Sequence, residues 1–358
     1  MRITKLDGLR GIFSVMIVIY HYYEKFIPAL IHDNFIVRSS YSFVDFFFVL
    51  SGFVISYNYD LHLTYKEFWI FIKKRFARLF PLLLYSVTIV FLIKIATIFI
   101  EPKYEPDTIQ VVILRFFNSI LFLNSTEISG VFNLSAYEGL NIPSWSISSE
   151  MISYIVFGII STCVIGKKKS VVLFSIIVLS ALYVINKEYF FLKGDNGFIR
   201  GLISFNLGYF VYKISKVNFK LNKHVELIIP ILLIVVLYYL HNFRGIEKQM
   251  FGLKAIPLSY ALFILILLKT NSIISWFLDT KFLQFLGKIS YSVYLNHSIC
   301  ITLIPTIIFE IIGVKQNTIT ETLVFISLLI FVIFYSNLTY KYIEIKGGKL
   351  LRKYLLKQ

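Results

Sequence analysis

The sequence is poor in cysteine and in charged residues. It contains only two cysteines, Cys163 and Cys300, and both lie inside apolar stretches. Neither a disulfide framework nor a cysteine-based metal site is therefore expected. Only 16% of the residues are charged, whereas 57% are hydrophobic. Because a soluble domain could not cover so large an apolar fraction, the composition excludes a soluble globular protein.

Acidic residues are also scarce. The chain has 20 Asp and Glu residues against 36 Lys and Arg residues, which gives a net charge of +16. The basic residues occur in short clusters between apolar runs, as the positive-inside rule expects of a membrane protein, so we expect no nucleic-acid partner. No small-residue cleavage site follows the first apolar run, and we interpret this run as a retained membrane span.

Long apolar runs dominate the rest of the sequence. Ten of them are long enough, or nearly long enough, to cross a bilayer as helices. The sequence therefore predicts an all-α polytopic membrane protein with about ten transmembrane helices. These spans are predicted at residues 9–29, 42–58, 76–100, 144–165, 170–186, 198–214, 225–241, 252–268, 286–312 and 319–341.

An eleventh run, at 109–124, is shorter and is interrupted by Arg115. If it does not cross, the stretches assigned to the cytoplasm hold 24 Lys and Arg residues and the outer stretches hold 11. If it crossed, the basic cluster at 166–170 would face outward, against the positive-inside rule. We therefore predict a re-entrant or interfacial segment at 109–124 and both termini in the cytoplasm.

Ionisable residues recur inside the predicted spans, where they are costly and often functional. Arg10 and His21 lie eleven residues apart, which places them on one helix face and about 16 Å apart along its axis. Asp45 and Glu150 lie at the outer ends of the second and fourth spans, and Tyr154 follows Glu150 by one turn. These side chains either join helices as a polar cluster or form a functional site. The matched depth of Asp45, Glu150 and His21 favours function.

Other polar residues allow two interpretations each. Arg75 and Arg78 are neighbours on a helix face and suit phosphate binding, but basic residues at this place also orient a membrane helix. His297, with Tyr294 one turn earlier, is either a second catalytic group or a hydrogen-bonded core histidine. Arg200 either binds an anion or a sugar, or extends to the membrane interface.

Several of these stretches together resemble the acyltransferase-3 family of integral-membrane O-acyltransferases. The similarity lies in five segments in the family's order, which cover most of the chain. They are "LDGLRGIFSVMIVIYH", "VDFFFVLSGFVIS", "RFARLFP", "PSWSISSE" and "LGKISYSVYLNHS". The resemblance implies one transmembrane acyltransferase domain at 1–345, followed by a basic cytoplasmic tail at 346–358.

The resemblance also implies residue roles. His21, with Asp45 and Glu150, would be catalytic, with His21 acting either as general base or as acyl-carrying nucleophile. Three arginines would bind the donor, and, independently of the resemblance, we expect four further residues to contact substrate. The donor-binding residues are Arg10, Arg75 and Arg78, and the substrate contacts are Trp145, Arg200, Tyr294 and His297.

The implied activity is O-acetyl transfer from acetyl-CoA, or another acyl-CoA, to a hydroxyl of a cell-surface or lipid-linked glycan. No metal would be required. The implied location is the bacterial inner membrane, with lipid around the spans, and the oligomeric state is left open. The alternative function is a transporter or flippase of a glycan or lipid-linked intermediate, although the sequence shows no inverted repeat of the kind many transporters have.

Overall fold

A computed structural model describes residues 3–23, 31, 33–60, 62–100, 107–126, 139–191 and 196–356. Among these residues, every element of regular secondary structure is a helix. The helices are α1 (Thr4–Tyr23), α2 (Phe35–Ser39), α3 (Phe43–Tyr59), α4 (Tyr65–Ile100), α5 (Ile109–Ile120), α6 (Ser144–Cys163), α7 (Lys167–Lys187), α8 (Gly197–Ser215), α9 (Ile228–Asn242), α10 (Gly245–Lys269), α11 (Ile273–Leu278), α12 (Lys281–Pro305), α13 (Thr318–Thr339) and α14 (Lys346–Leu356).

Four short segments of other helical types adjoin these helices. A 3₁₀ turn, Ser40–Ser42, joins α2 to α3, and another, Lys223–Leu227, leads into α9. A π-helical segment, Thr306–Ile311, extends α12, and a second, Tyr340–Ile345, connects α13 to α14.

The prediction of an all-α polytopic membrane protein is confirmed. Among the described residues, eight helical segments are long and apolar enough to cross a bilayer. Two further predicted spans coincide with α1 and α8, which are less apolar than these eight. The total of ten crossings stays a prediction, as does the cytoplasmic position of both termini. The eight segments are Phe35–Tyr59, Tyr65–Ile100, Ser144–Cys163, Lys167–Lys187, Lys223–Asn242, Gly245–Lys269, Lys281–Ile311 and Thr318–Leu356.

The run predicted as re-entrant or interfacial forms α5, a helix of 12 residues. Such a helix is about 18 Å long, well short of the ~30 Å hydrocarbon core. Thr108 caps its N-terminus by accepting a hydrogen bond from the Val111 amide. Arg115 donates to Asp107 at 2.5 Å, so the charge that interrupts this run is paired locally. The length of α5 agrees with a segment that does not cross the bilayer. The position of α5 relative to a bilayer would test whether the segment is re-entrant or interfacial.

The chain divides into two compact units. Unit 1 comprises Met1–Phe47 and Lys213–Tyr340, and unit 2 comprises Phe48–Tyr212 and Lys341–Gln358. In unit 1, α12 packs against both α1 and α13. In unit 2, the long helix α4 packs against α5, α6 and α14. The prediction of one domain and a tail stays a prediction, and the described part of that tail is helix α14.

Close helix packing in unit 2 depends on a proline and two glycines. Pro81 lies inside α4 and has no backbone N–H, so the carbonyl oxygen of Ala77 loses its usual helical donor. Gly347 and Gly348 of α14 pack against α4 at Pro81 and Ala77. A Cβ at Gly347 would lie 3.0 Å from the Pro81 side chain, and one at Gly348 would lie 3.0 Å from the Ala77 carbonyl oxygen. The glycines therefore let α14 lie directly on α4.

Candidate active site

His21 lies in the last turn of α1 and is partly buried. Its Nδ1 is 3.0 Å from the carbonyl oxygen of Ile17, one turn earlier. The same nitrogen is 3.2 Å from Nε2 of His297 in α12. The two imidazole rings have centroids 4.8 Å apart and planes tilted by 36°. The structure thus brings together two histidines that the sequence separates by 276 residues.

These contacts favour one tautomer of His21. A carbonyl oxygen can only accept a hydrogen bond, so we assign the proton to Nδ1 of His21, which donates to Ile17. Nε2 of His297 then accepts a share of the same N–H. This assignment leaves the lone pair of His21 on Nε2. A neutral His21 in this state can take up a proton or attack a carbonyl carbon at Nε2.

Two glycines set the positions of the histidines. A Cβ on Gly11 would lie 2.7 Å from the Gly287 nitrogen, and a Cβ on Gly287 would lie 2.0 Å from the Asp7 carbonyl oxygen. Only glycine lets these backbones approach so closely. His21 follows Gly11 by ten residues and His297 follows Gly287 by ten residues. Since α1 and α12 run parallel, an equal rise of about 15 Å brings both imidazoles to one level.

His297 is fully buried, and its ring lies 5.9 Å from that of Tyr294, which is itself buried. Tyr294 in turn contacts Phe47 at 6.1 Å between ring centroids. The contact with His21 is compatible with both interpretations offered by the sequence, a second catalytic group and a hydrogen-bonded core histidine. Each histidine follows its glycine by ten residues, but the sequence does not show that these two glycines meet.

Asp45 belongs to the same unit and is fully buried in the first turn of α3. Its neighbours Phe43 and Phe46 both pack on Phe13 of α1, with ring centroids 4.1 and 4.9 Å apart. The first of these contacts is a parallel stack and the second is edge-to-face. These aromatic contacts fix the start of α3 against α1, on the N-terminal side of His21.

Glu150, in unit 2, accepts two hydrogen bonds. Ser51 Oγ donates to Glu150 Oε1 at 2.5 Å, and the Tyr154 hydroxyl donates to the same oxygen. The Ser51 and Tyr154 hydroxyls are also 2.9 Å apart. Glu150 and Tyr154, which the sequence places one turn apart, are thus in direct contact. The sequence analysis did not identify Ser51, because its position in α3 becomes relevant only when α3 and α6 are packed.

The arginines assigned to the donor have different surroundings. Arg10 pairs with Asp7 at 3.4 Å, and both side chains are partly exposed. Arg75 lies over the Tyr59 ring, with 5.8 Å between the guanidinium carbon and the ring centroid. Arg78 forms an ion pair with Glu344, whose side chain is fully buried whereas that of Arg78 is 42% exposed.

Arg200 is only 2% exposed and lies among aromatic rings. Its guanidinium carbon is 5.5 Å from the ring centroid of Trp145, 5.5 Å from that of Phe190 and 5.2 Å from that of Phe191. A cation over several ring faces is stabilised by their quadrupoles. This burial contradicts the alternative in which Arg200 extends to the membrane interface. The structure brings Arg200 and Trp145 together, as two of the predicted substrate contacts.

A family model described as "Acyltransferase domain", that of the acyltransferase-3 family, matches residues 3–340. This chain belongs to the acyltransferase-3 family. The match includes α1 to α13 and every candidate residue named above except Glu344. The family resemblance seen in the sequence is therefore confirmed.

Curated acyltransferase-3 relatives extend the comparison. The O-acetyltransferase OatA of Staphylococcus aureus (strain NCTC 8325) is 26% identical over 365 residues, covering 95% of this chain and 56% of OatA. OatA of strain COL gives the same values. "Protein 2 in picA locus" of Rhizobium radiobacter is 38% identical over 86 residues, covering 23% of this chain and 40% of that protein. The chain thus spans about half the length of these relatives, and no solved structure matches it.

Proposed function

We propose that this protein is a membrane O-acetyltransferase that moves an acetyl group from cytosolic acetyl-CoA to a hydroxyl of a cell-surface or lipid-linked glycan. Membership of the acyltransferase-3 family and similarity to proteins named O-acetyltransferase support the reaction class. The observation that carries the proposal is the contact between His21 and His297, because it leaves a basic nitrogen on a partly exposed ring.

In the proposed reaction His21 is the general base. Nε2 of His21 takes the proton of the acceptor hydroxyl while the hydroxyl oxygen attacks the carbonyl carbon of the thioester. The C–O bond forms, the C–S bond breaks, and the proton passes from Nε2 to the departing thiolate, which leaves as CoA. His297 accepts a hydrogen bond from Nδ1–H and so supports the imidazolium formed in between, a positioning role like that of the third member of a triad.

The donor would approach from the cytoplasmic side, where the predicted topology places Arg10, Arg75 and Arg78. Arginine forms charge-assisted hydrogen bonds with phosphate oxygens, often two at once. The pantetheine arm would then extend along α1, since about 16 Å separates Arg10 from His21 along the helix axis. The acceptor would approach from the outer face of the bacterial inner membrane, and lipid would surround the spans.

Asp45 and Glu150 would support the reaction electrostatically. Both residues lie within the predicted outer half of the membrane, where an ionisable side chain is energetically unfavourable and is often functional. The two hydroxyls that donate to Glu150 hold this side chain in one orientation. Trp145, Arg200 and Tyr294 would contact the acceptor, since aromatic rings suit the apolar faces of a sugar.

The test compares surface glycans from cells that express wild-type protein, His21→Ala protein or neither. Mass spectrometry before and after mild alkali shows whether a base-labile acetyl ester is present. We expect the ester with wild type only. His241→Ala, which changes a histidine at the end of α9, is the matched control and should retain the ester. Identical glycans in all strains, with equal protein amounts, would contradict the proposal.

A second experiment separates the two roles of His21. Purified protein is mixed with labelled acetyl-CoA without acceptor and quenched rapidly in acid. The general-base role predicts no labelled protein at any time. Labelled wild-type protein, absent in His21→Ala, would instead show an acyl-imidazole intermediate. In membrane vesicles supplied with both labelled acetyl-CoA and a glycan, movement of the glycan across the membrane without transfer or hydrolysis of the label would favour the transport function.

A further inference from the structure

An open groove lies between the N-terminal part of α4 and the last turn of α14, with a volume of about 690 Å³. We call it the α4–α14 groove. Its size is within the usual range for small-molecule sites. Beside aliphatic side chains, its lining has two aromatic residues and four cations, and among the described residues no acidic one. These six residues are Tyr65, Trp69, Lys66, Lys73, Lys74 and Arg352.

All residues that line the groove belong to unit 2. Gly347 and Gly348 hold α14 directly against α4 at Pro81 and Ala77, which sets the distance between the two walls. Five of the six polar and aromatic lining residues come from three successive turns of α4, and Arg352 comes from α14. The cations of both walls therefore face a common space, where they favour an anion of high charge density.

The aromatic residues narrow the choice of anion. Tyr65 is 71% exposed and Trp69 is 46% exposed, so a ligand in the groove can reach both rings. Their centroids are 6.2 Å apart with planes at 80°, so neither ring is stacked parallel on the other. An exposed indole beside several cations suits a nucleotide, because the base stacks while the cations bind phosphate. A lipid headgroup offers phosphate but no base.

We propose that the α4–α14 groove binds the 3′-phosphorylated adenosine end of the CoA donor. This inference rests on the proposed acetyl-CoA-dependent function. It gives a binding site to the adenosine end of the donor, which is the part farthest from the thioester. Trp69 would stack on adenine, and Lys73 and Arg352 would bind the 3′-phosphate.

The order of residues along α4 agrees with this assignment. Trp69 precedes Lys74 by five residues, or about 7.5 Å along the helix axis. Going from the groove toward the predicted membrane, the α4 wall presents first the exposed indole and then Lys73 and Lys74. Arg75 lies about 240° around the helix from Trp69 and does not line the groove. A CoA molecule has the same order, with adenosine, then the diphosphate, then the pantetheine arm. The diphosphate would thus lie near Lys74, and the arm would continue toward the membrane.

The test measures binding of acetyl-CoA and of 3′-dephospho-acetyl-CoA to the full-length protein in phosphatidylcholine nanodiscs by titration calorimetry. We expect the wild type to bind acetyl-CoA roughly tenfold more tightly, the range of one or two charge-assisted hydrogen bonds. Lys73→Gln/Arg352→Gln should abolish this preference. The control Lys349→Gln/Lys353→Gln also removes two charges from unit 2 but changes no lining residue, and should preserve it.

Two further variants test the stacking contact. Trp69→Ala should weaken both ligands roughly tenfold, within the range for loss of one base–aromatic stack. Trp69→Phe retains a ring and should restore most of the affinity, which excludes a merely misfolded Trp69→Ala protein as the cause.

The possible contrary results are distinct. If the wild type binds acetyl-CoA and the groove variants bind both ligands as tightly as it does, the assignment of the groove is wrong and the proposed function stands. A second contrary result is that phosphatidylglycerol raises the thermal stability of the wild type but not of the groove variants, while binding of acetyl-CoA is the same in all of them. The groove is then a lipid site, and the assignment is again wrong. If the wild type binds no CoA thioester, the proposed function fails and the inference fails with it.

Discussion

At the residue scale, the reactivity of His21 depends on which ring nitrogen carries the proton. The Ile17 carbonyl oxygen and Nε2 of His297 both lie within hydrogen-bonding distance of Nδ1. With Nδ1 protonated, both contacts are satisfied and the lone pair of the ring lies on Nε2. In the proposed reaction His297 is a positioning residue, whose effect on the substrate passes through His21.

We predict that His297→Ala lowers kcat about fivefold and leaves the KM for acetyl-CoA nearly unchanged, because one hydrogen bond of about 1 kcal/mol to the reacting histidine is lost. His297→Gln should recover part of the rate, since its amide oxygen can still accept from Nδ1–H. Steady-state kinetics of CoA release would measure both effects. Unchanged kcat in His297→Ala would contradict the positioning role, and His241→Ala serves as the control.

The two arginines of the "RFARLFP" segment are predicted to respond differently to substitution. Glu344 is fully buried and paired with Arg78, so Arg78→Gln would remove a cation from beside a buried carboxylate. We expect a loss of roughly 2–3 kcal/mol in the free energy of unfolding, below the cost for a fully buried pair because Arg78 is partly exposed. Thermal unfolding in detergent would measure this loss, and adding Glu344→Gln should restore most of the stability.

Arg75→Gln is the matched comparison. Among the described residues Arg75 forms no ion pair, so its loss should raise the KM for acetyl-CoA with little change in thermal stability. Equal destabilisation by both single variants would contradict the conclusion that Arg78, unlike Arg75, also stabilises the fold through Glu344.

At the element scale, the candidate site depends on how closely α1 and α12 pack. The absence of side chains at Gly11 and Gly287 lets the two backbones touch, and the helices then run side by side as far as the histidines. Above the glycines, Val18 and Tyr22 of α1 pack with Ile289 and Val293 of α12. This packing is apolar and fills the seam between the helices, which keeps the imidazoles in register.

We predict that Gly287→Ala disrupts this register. Its Cβ would lie 2.0 Å from the Asp7 carbonyl oxygen, and a backbone atom cannot yield as a flexible side chain does. We expect a loss of about 1–3 kcal/mol in stability and most of the activity. Melting temperature and CoA release would be measured together. Ala96→Leu, which adds more volume at an exposed position of α4, should change neither, and a fully active Gly287→Ala protein would contradict this account.

At the scale of the whole molecule, the distribution of charge determines the orientation in the membrane. Helices such as α7 and α9 expose large apolar side chains over much of their length, among them Leu179, Leu182, Ile231 and Ile234. Such surfaces require lipid around them. The excess of Lys and Arg on one predicted side then assigns that side to the cytoplasm.

We predict that a fluorescent protein fused after residue 358 is bright in cells, whereas alkaline phosphatase fused there is inactive, because both reporters would lie in the cytoplasm. The same reporters fused after residue 243, in the predicted outer connection between α9 and α10, should give the opposite result. An active phosphatase at the C-terminus would contradict the predicted topology, and with it the cytoplasmic position of Arg75, Arg78 and the α4–α14 groove.

Sequence alone determined the class of this protein. Apolar runs long enough to span a bilayer leave few alternatives, since every backbone polar group in hydrocarbon must bond within its own helix. The five family segments, with His21, Asp45, Glu150 and the arginines, are also local features that can be seen in one dimension. The helices observed at the predicted spans follow from the same local rules.

Only the tertiary structure decided which of these side chains act together. The partnership of His21 with His297, the burial of Arg200 among aromatic rings and the pairing of Arg78 with Glu344 all join residues far apart in the chain. Hydrophobic periodicity does not specify which helix face meets which, because lipid is as apolar as the helices. Small residues such as Gly11 and Gly287 make that choice, by allowing one pair of backbones to approach more closely than any other arrangement would.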